Sequence, residues 1–222
     1  MRHRFLISGT DTGVGKTTVA CSLAIGFRRR GLRVGVMKPA ETGCVPCGGN
    51  LIAPDAVALR AAAESNEGID LVCPYRYAVP LAPAAAALVE GREPPDLDRI
   101  ETAYAQLAHD KDVMLVEGAG GLAVPITWRH NYADLALAIG LELILVVPNR
   151  LGCINGTVLS LSYAAQRGLQ VKGYILNDIE TECSAAARTN AHSLERLLPD
   201  QCLGVMKFDG SLSDEICRIV LA

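Results

Sequence analysis

The run Gly9-Thr10-Asp11-Thr12-Gly13-Val14-Gly15-Lys16-Thr17-Thr18 lies directly after the apolar Phe5-Leu6-Ile7 and directly before an apolar-periodic stretch. A glycine-rich turn between strand and helix points several backbone N–H groups inward at an anion, and the helix it opens adds the positive end of its dipole. Lys16 is then placed to reach the β- and γ-phosphates, and the Thr17 hydroxyl to ligate Mg²⁺. A nucleoside triphosphate is the first ligand to expect. The spacing is irregular, because Gly-x4-Gly-Lys-[Ser/Thr] counted back from Gly15 requires glycine at position 10, and the glycine stands one residue earlier, at Gly9.

Two further segments carry matching chemistry. Val113-Met114-Leu115-Val116 is an apolar run closed by Glu117, and Gly118-Ala119-Gly120-Gly121 follows, leaving backbone free to approach a ligand. A carboxylate at that position is what a metal-facing residue of a phosphoryl-transfer site requires. Lys38 closes the run from Val34 and precedes Pro39. Its side chain is expected on the same rim as Lys16, where two ammonium groups on one anionic ligand stabilise charge that moves during reaction. Asp55 follows Pro54 at a helix start, a place that the helix dipole alone explains. Asp98, Glu101 and Asp134 fall on helices without a partner motif and read as structural. The four histidines show neither metal spacing nor a Ser/His/Asp pattern.

The elements that must position these groups follow from the apolar runs. Strands are expected at 5–8, 34–38, 113–117, 143–147 and 171–176, with a last one at 203–208. Helices are expected at 16–30, 54–64, 82–90, 96–109, 132–140, 154–167 and 184–197. The alternation predicts an α/β fold, a doubly wound and mainly parallel sheet with helices on both faces, of the P-loop NTPase kind. Ligands of such sheets sit beyond the carboxyl ends of the strands. Here those ends carry the phosphate loop, Lys38 with Pro39-Ala40-Glu41-Thr42-Gly43, Glu117 to Gly121, Asn149-Arg150-Leu151-Gly152 and Asn177-Asp178.

Composition narrows the setting. The 222 residues, half of them apolar, are expected to form one domain over 1–222. A formal net charge of −3 gives no reason to expect nucleic acid, and the one basic cluster, Arg28-Arg29-Arg30 with Arg33, closes a helix where the dipole favours cations. Met1-Arg2-His3-Arg4 leads only into a short strand and no run is long enough to span a membrane, so a cytoplasmic protein is expected. Its eight cysteines, at 21, 44, 47, 73, 153, 183, 202 and 217, read mostly as buried reduced thiols. Cys44-Val45-Pro46-Cys47 has ligand spacing, but no second pair completes a zinc site.

The motifs together resemble the dethiobiotin synthetase family. The resemblance rests on Gly9-Thr10-Asp11-Thr12 with Val14-Gly15-Lys16-Thr17, Lys38-Pro39 with Thr42-Gly43, Pro74-Tyr75, Glu117-Gly118-Ala119-Gly120-Gly121, Leu151-Gly152-Cys153-Ile154-Asn155, and Asn177-Asp178. It runs in order from Ile7 to about Gly204. It implies ATP- and Mg²⁺-dependent closure of a cyclic urea from 7,8-diaminononanoate and CO2 in biotin synthesis, through a carbamic-phosphoric anhydride. By the same resemblance, Thr17, Asp55 and Glu117 would hold Mg²⁺, Gly13, Val14, Gly15, Lys16, Thr17 and Thr18 would cradle the phosphates, and Lys16 and Lys38 would be catalytic. Gly118, Ala119, Gly120 and Asp178 would complete the nucleotide site, with Asn177 at the adenine edge. Thr12 and Thr42 would bond the reacting end of the diamine. Leu151, Gly152, Cys153, Ile154 and Asn155 would receive its carboxylate from the other subunit of a homodimer. Gly13 stands where some members have glutamate, Ala82-Pro83-Ala84 where many have Ser-Pro-His, and Lys207 where proline is usual.

Two other readings share the loop. An amide synthase of the cobyrinic acid group usually carries a glutaminase domain, for which 222 residues leave no room. A partition or regulatory ATPase usually carries a second lysine where this chain has Asp11.

Overall fold

Successive residues of the central strands are all buried, among them Phe5 to Gly9, Val113 to Gly118 and Leu143 to Pro148. Side chains alternate between faces along a strand, so unbroken burial means that both faces of the sheet are covered. The computed structural model describes residues 2–181, 184–210 and 212–222. In chain order its elements are β1 (His3–Gly9), α1 (Lys16–Arg28), β2 (Val34–Met37), β3 (Ala40–Thr42), β4 (Val45–Cys47), β5 (Asn50–Ile52), α2 (Pro54–Ala62), α3 (Ile69–Val72), β6 (Tyr75–Tyr77), α4 (Pro83–Val89), α5 (Leu97–Ala108), β7 (Val113–Gly121), α6 (Tyr132–Ala138), β8 (Glu142–Pro148), α7 (Cys153–Gln166), β9 (Val171–Asn177), α8 (Ala185–Leu197), β10 (Cys202–Met206) and α9 (Asp214–Leu221).

Six strands form one sheet in the order β10-β9-β8-β1-β7-β2. Every pairing in it is parallel. The chain leaves β1 toward β7 and β2, then returns past it to β8, so the order reverses at β1. That reversal opens the crevice in which open α/β sheets bind ligands. Helix α1 packs on β1, β2 and β7, and α7 on β8 and β9.

The expected strands and helices are present, with boundaries that differ by a few residues. Helix α1 stops at Arg28 rather than Arg30, and Gly31 follows at φ 77°. Strand β7 does not stop at Glu117 but runs on to Gly121, because the glycines let it stay beside β1 through an irregularity: Ile7 pairs with Glu117, and Gly9 with Gly121. The parallel pair β3–β6, the antiparallel hairpin β4–β5, the single turn α3 and the terminal α9 were not expected. Three-residue strands are too short to show a period.

Three of the four arginines of the basic cluster are paired within the chain. Arg28 pairs with Glu64, Arg30 with Asp214 and Arg33 with Asp112. Among the described residues no helix is long and apolar enough to cross a membrane, and no group of His, Cys, Asp and Glu could hold a metal by itself. The described cysteines are free; Cys47 is exposed, Cys44 buried, and Cys183 lies outside the described residues. Burial pushes the Cys21 and Cys44 thiols up to about 11, which keeps them protonated and unreactive.

Asp134 has the structural role expected of it. Its carboxylate accepts from the Asn131 N–H at 2.8 Å, while the Asn131 side chain accepts from the N–H groups of Ala133 and Asp134. Asn131 also donates to the Tyr163 hydroxyl at 2.8 Å, tying α6 to α7. Loss of an N-cap costs about 1–2 kcal/mol. Asn131→Ala is therefore expected to lower the unfolding free energy from urea titration by that much, and an unchanged free energy would show that the box contributes nothing.

Candidate active site

The phosphate loop is shaped by two glycines. Gly15 is the N-cap of α1 at φ 90°, without a side-chain cap, so the first N–H groups of the helix remain available to a ligand. A side chain there would also collide with the Asn177 amide, which donates to the Val14 carbonyl at 2.9 Å. At Gly9 a Cβ would meet Val14 at 2.6 Å. The loop thus folds back over the end of β1, and Lys16 closes it by donating to the Asp11 carbonyl at 3.0 Å. Burial, and then the neighbouring Lys38 charge, lower the Lys16 ammonium to about 8.

Beside the loop a second lysine is enclosed by carboxylates. Lys38 is 3% exposed and its Nζ donates to Glu117 Oε1 at 2.5 Å and to Asp55 Oδ2 at 2.9 Å. Burial lowers the Lys38 ammonium, but the two carboxylates override it and hold it well above the ordinary lysine range. Burial likewise pushes Asp55 up, and the Lys38 ammonium overrides it and holds the carboxyl below its usual value. The Thr17 hydroxyl donates to the same Glu117 Oε1 at 2.8 Å. Glu117 Oε2 is left buried without a hydrogen-bond partner.

Asp55 reaches this cluster because Glu41 holds the start of α2. The Glu41 oxygens accept from the Asp55 and Ala56 N–H groups, each at 2.9 Å. Burial pushes the Glu41 carboxyl up against these bonds. The sequence reading placed Glu41 near the site but gave it no role. The available signal was a helix that begins Ala53-Pro54, with no capping oxygen of its own.

Of the residues expected at the site, Thr12, Gly13, Gly15, Lys16, Thr17, Thr18, Lys38, Thr42, Asp55, Glu117, Ala119 and Gly120 line one cleft of about 720 Å³. Val14 is buried beneath it, and Gly118 packs against Tyr132. Ala82 lines the cleft as well. Asp178 lines a second cleft of about 370 Å³, with Asn149, Lys207 and Phe208. There Asn149 donates to Asp178 at 2.7 Å and accepts from Asn190 at 3.0 Å, a network that sequence reading missed because its members are far apart in the chain. Leu151 to Asn155 line neither cleft of this chain. Leu151 is 86% exposed, and Gly152 starts α7 at φ 92° without a side-chain cap.

A parallel sheet with a phosphate loop at its switch point, and a lysine–carboxylate cluster beside it, defines a P-loop nucleotide-binding protein. The family model described as an AAA domain matches residues 3–215. ATP-dependent dethiobiotin synthetase BioD of Anaeromyxobacter dehalogenans is 42% identical over 213 residues, covering 96% of this chain and 93% of that protein. Its namesake from Thermodesulfovibrio yellowstonii is 39% identical, covering 94% and 90%. This chain belongs to the dethiobiotin synthetase family. Among solved structures, the septum site-determining protein MinD of Pyrococcus horikoshii, complexed with Mg-ADP, matches with TM-score 0.60 at 17% identity, covering 99% of this chain and 94% of that one. A plasmid partition protein from Borrelia burgdorferi matches with TM-score 0.62 at 13% identity, covering 100% and 97%. These two likenesses are of fold.

The depressed Lys16 ammonium generates a pH prediction. With its free-state value at about 8, Lys16 is largely neutral at pH 9, and a bound polyphosphate raises its proton affinity. Nucleotide binding is therefore expected to take up most of a proton at pH 9 and far less from Lys16 at pH 7. Calorimetry in two buffers of different ionisation enthalpy measures this. No uptake at pH 9 would show that Lys16 does not meet the phosphates.

Proposed function

We propose that this chain is an ATP-dependent dethiobiotin synthetase, a cyclo-ligase that makes dethiobiotin, ADP and phosphate from 7,8-diaminononanoate, CO2 and ATP. The observation that carries the proposal is the convergence of Lys16, Lys38, Thr17, Asp55 and Glu117 on one cleft, in a chain of that family. Phosphoryl transfer to a weak nucleophile depends on positioning and charge neutralisation, which this lining supplies.

The donor set fits Mg²⁺. One hydroxyl and two carboxylates suit a cation that keeps several waters and takes its other ligands from phosphates. Glu117 Oε2, buried and unpartnered, is an acceptor in need of such a cation. We assign Thr17, Asp55 and Glu117 as its ligands. When bound, Mg²⁺ would neutralise charge on the β- and γ-phosphates.

The chain's own groups then act in order. The loop Gly13 to Thr18 offers N–H groups to the phosphates, with Lys16 on the β- and γ-oxygens. One amine of the substrate, oriented by the Thr12 and Thr42 hydroxyls, attacks CO2 and loses a proton to give the carbamate. Lys38 draws the carbamate oxygen to the γ-phosphorus, and ADP leaves as the P–O bond forms. The second amine attacks the carbonyl carbon of the mixed anhydride, the C–O bond breaks, phosphate departs and the urea ring closes with loss of a proton.

The adenine is assigned to the second cleft, beside Asp178. Asn177, 4% exposed and outside the lining of both clefts, donates one amide hydrogen to Val14, and it is assigned to the base edge because it adjoins Asp178 in the chain. Gly118 to Gly120 give the nucleotide a close backbone wall. Leu151 to Asn155, outside the clefts of their own chain, are assigned to the substrate carboxylate in the site of a second copy, which makes the enzyme a homodimer with a shared site. An uncapped helix start suits a carboxylate. We take residues 1–222 as one domain acting in the cytoplasm on small molecules, without nucleic acid or membrane.

The experiment is ATP turnover with and without the diamine and bicarbonate. Strict dependence on both is expected; equal hydrolysis without them would favour the nucleotide-switch reading that the fold likeness allows. Lys38→Met is expected to lower kcat by orders of magnitude while nucleotide still binds, and near-normal turnover would remove Lys38 from the reaction. Glu117→Gln is expected to weaken Mg²⁺-dependent nucleotide binding, and an unchanged Mg²⁺ titration would remove Glu117 from the metal shell.

A further inference from the structure

Glu41 takes no part in the chemistry above, yet it is 3% exposed and lines the same cleft. Its two oxygens are fully committed. They accept the N–H groups of Asp55 and Ala56, which are the first donors α2 possesses, because Pro54 at its first position has none. Helices α5, α6, α8 and α9 carry their own caps in Asp96, Asn131, Ser184 and Ser213. Ala53, the N-cap residue of α2, makes no side-chain cap. The cap comes instead from a residue on β3, across the whole β4–β5 hairpin. That residue follows Lys38 by three positions and immediately precedes Thr42. The helix so held carries Asp55, whose carboxylate meets Lys38 at 2.9 Å.

We infer that Glu41 is a positioning residue for the metal–nucleotide half of the site: it pins the first turn of α2 so that Asp55 is held where it meets the cation. The inference rests on the reading of Asp55 as a Mg²⁺ ligand. An uncapped α2 start would let Asp55 drift relative to Thr17 and Glu117, which stand on α1 and β7. Partners that orient a metal ligand typically affect metal affinity or activity by about 10- to 100-fold. A glutamine at 41 keeps shape and volume but must turn an NH2 group toward one of the two N–H donors, so one bond becomes a repulsion.

The test is the affinity of a non-hydrolysable ATP analogue, measured by calorimetry across a Mg²⁺ series, for the wild type, Glu41→Gln, Asp55→Asn and the double variant. Glu41→Gln is expected to need about 10- to 100-fold more Mg²⁺ for half-saturation. Affinity in EDTA should be unchanged, and the double variant should be no worse than Asp55→Asn alone. A folded Glu41→Gln with the wild-type Mg²⁺ response, even with a lower melting temperature, overturns the inference and leaves Glu41 merely structural. Losses that add in the double variant also overturn it, since Glu41 would then act independently of Asp55. An Asp55→Asn protein with unaltered Mg²⁺ response would sink the metal-site reading itself, and this inference with it. Should Glu41→Gln not fold, Ala53→Ser is added to offer a cap to the same donors from within α2: fold and wild-type Mg²⁺ response restored together support the inference, and a restored fold with a still weakened Mg²⁺ response overturns it.

Discussion

A buried ammonium held between two carboxylates is the constraint on which the rest of the site depends. Lys38 leaves the end of β2, Glu117 sits within β7 and Asp55 opens α2, so one cation joins three elements that share no local sequence. Buried charge is costly unless paired, and removing one partner of such a pair costs about 3–5 kcal/mol. Lys38 and Glu117, both buried, depend on each other in this way, whereas Asp55 is 40% exposed and its share is screened by water. The parallel register of β2 with β7 and of β7 with β1 brings the strand ends to one edge, where Thr17 and the phosphate loop join them.

Much of this was legible in the chain because it is carried by contiguous residues. The phosphate loop, the apolar run into Glu117 and the Lys38-Pro39 step each declare chemistry within a few positions, and the alternation of runs gives the parallel sheet. What could not be read depends on distance. Nothing near Glu41 shows that its partners are the N–H groups of Asp55 and Ala56, because the contact forms only when the β4–β5 hairpin folds away. Asn149, Asp178 and Asn190 form their network only when β8, β9 and α8 come together. The extension of β7 past Glu117 was missed because glycines rarely belong in a strand interior, where they mark close backbone approach; here it is Gly9 opposite Gly121 that uses that freedom.

The likeness to MinD and partition proteins and the identity to dethiobiotin synthetases answer different questions. A sheet with a phosphate loop at its switch point serves many activities, and function resides in the groups grafted on its rim. On the proposed reading, the residues that separate this chain from a bare nucleotide binder are Lys38, Thr42 and Glu41, all on the segment that leaves β2. That segment is also where the small β3–β6 sheet begins, so a minor piece of secondary structure anchors the side chains that distinguish the site.

The β4–β5 hairpin spans Val45 to Ile52, and its strands are almost wholly exposed. Both of its ends are fastened before it begins and after it closes, by Thr42 in β3 and by the bonds from Glu41 to α2. A loop whose ends are already held together adds only about 0.6 kcal/mol of closure entropy for each doubling in length. The hairpin is thus a place where the chain can lengthen, shorten or accept a foreign segment, such as a reporter, while the groups a few residues to either side keep their positions.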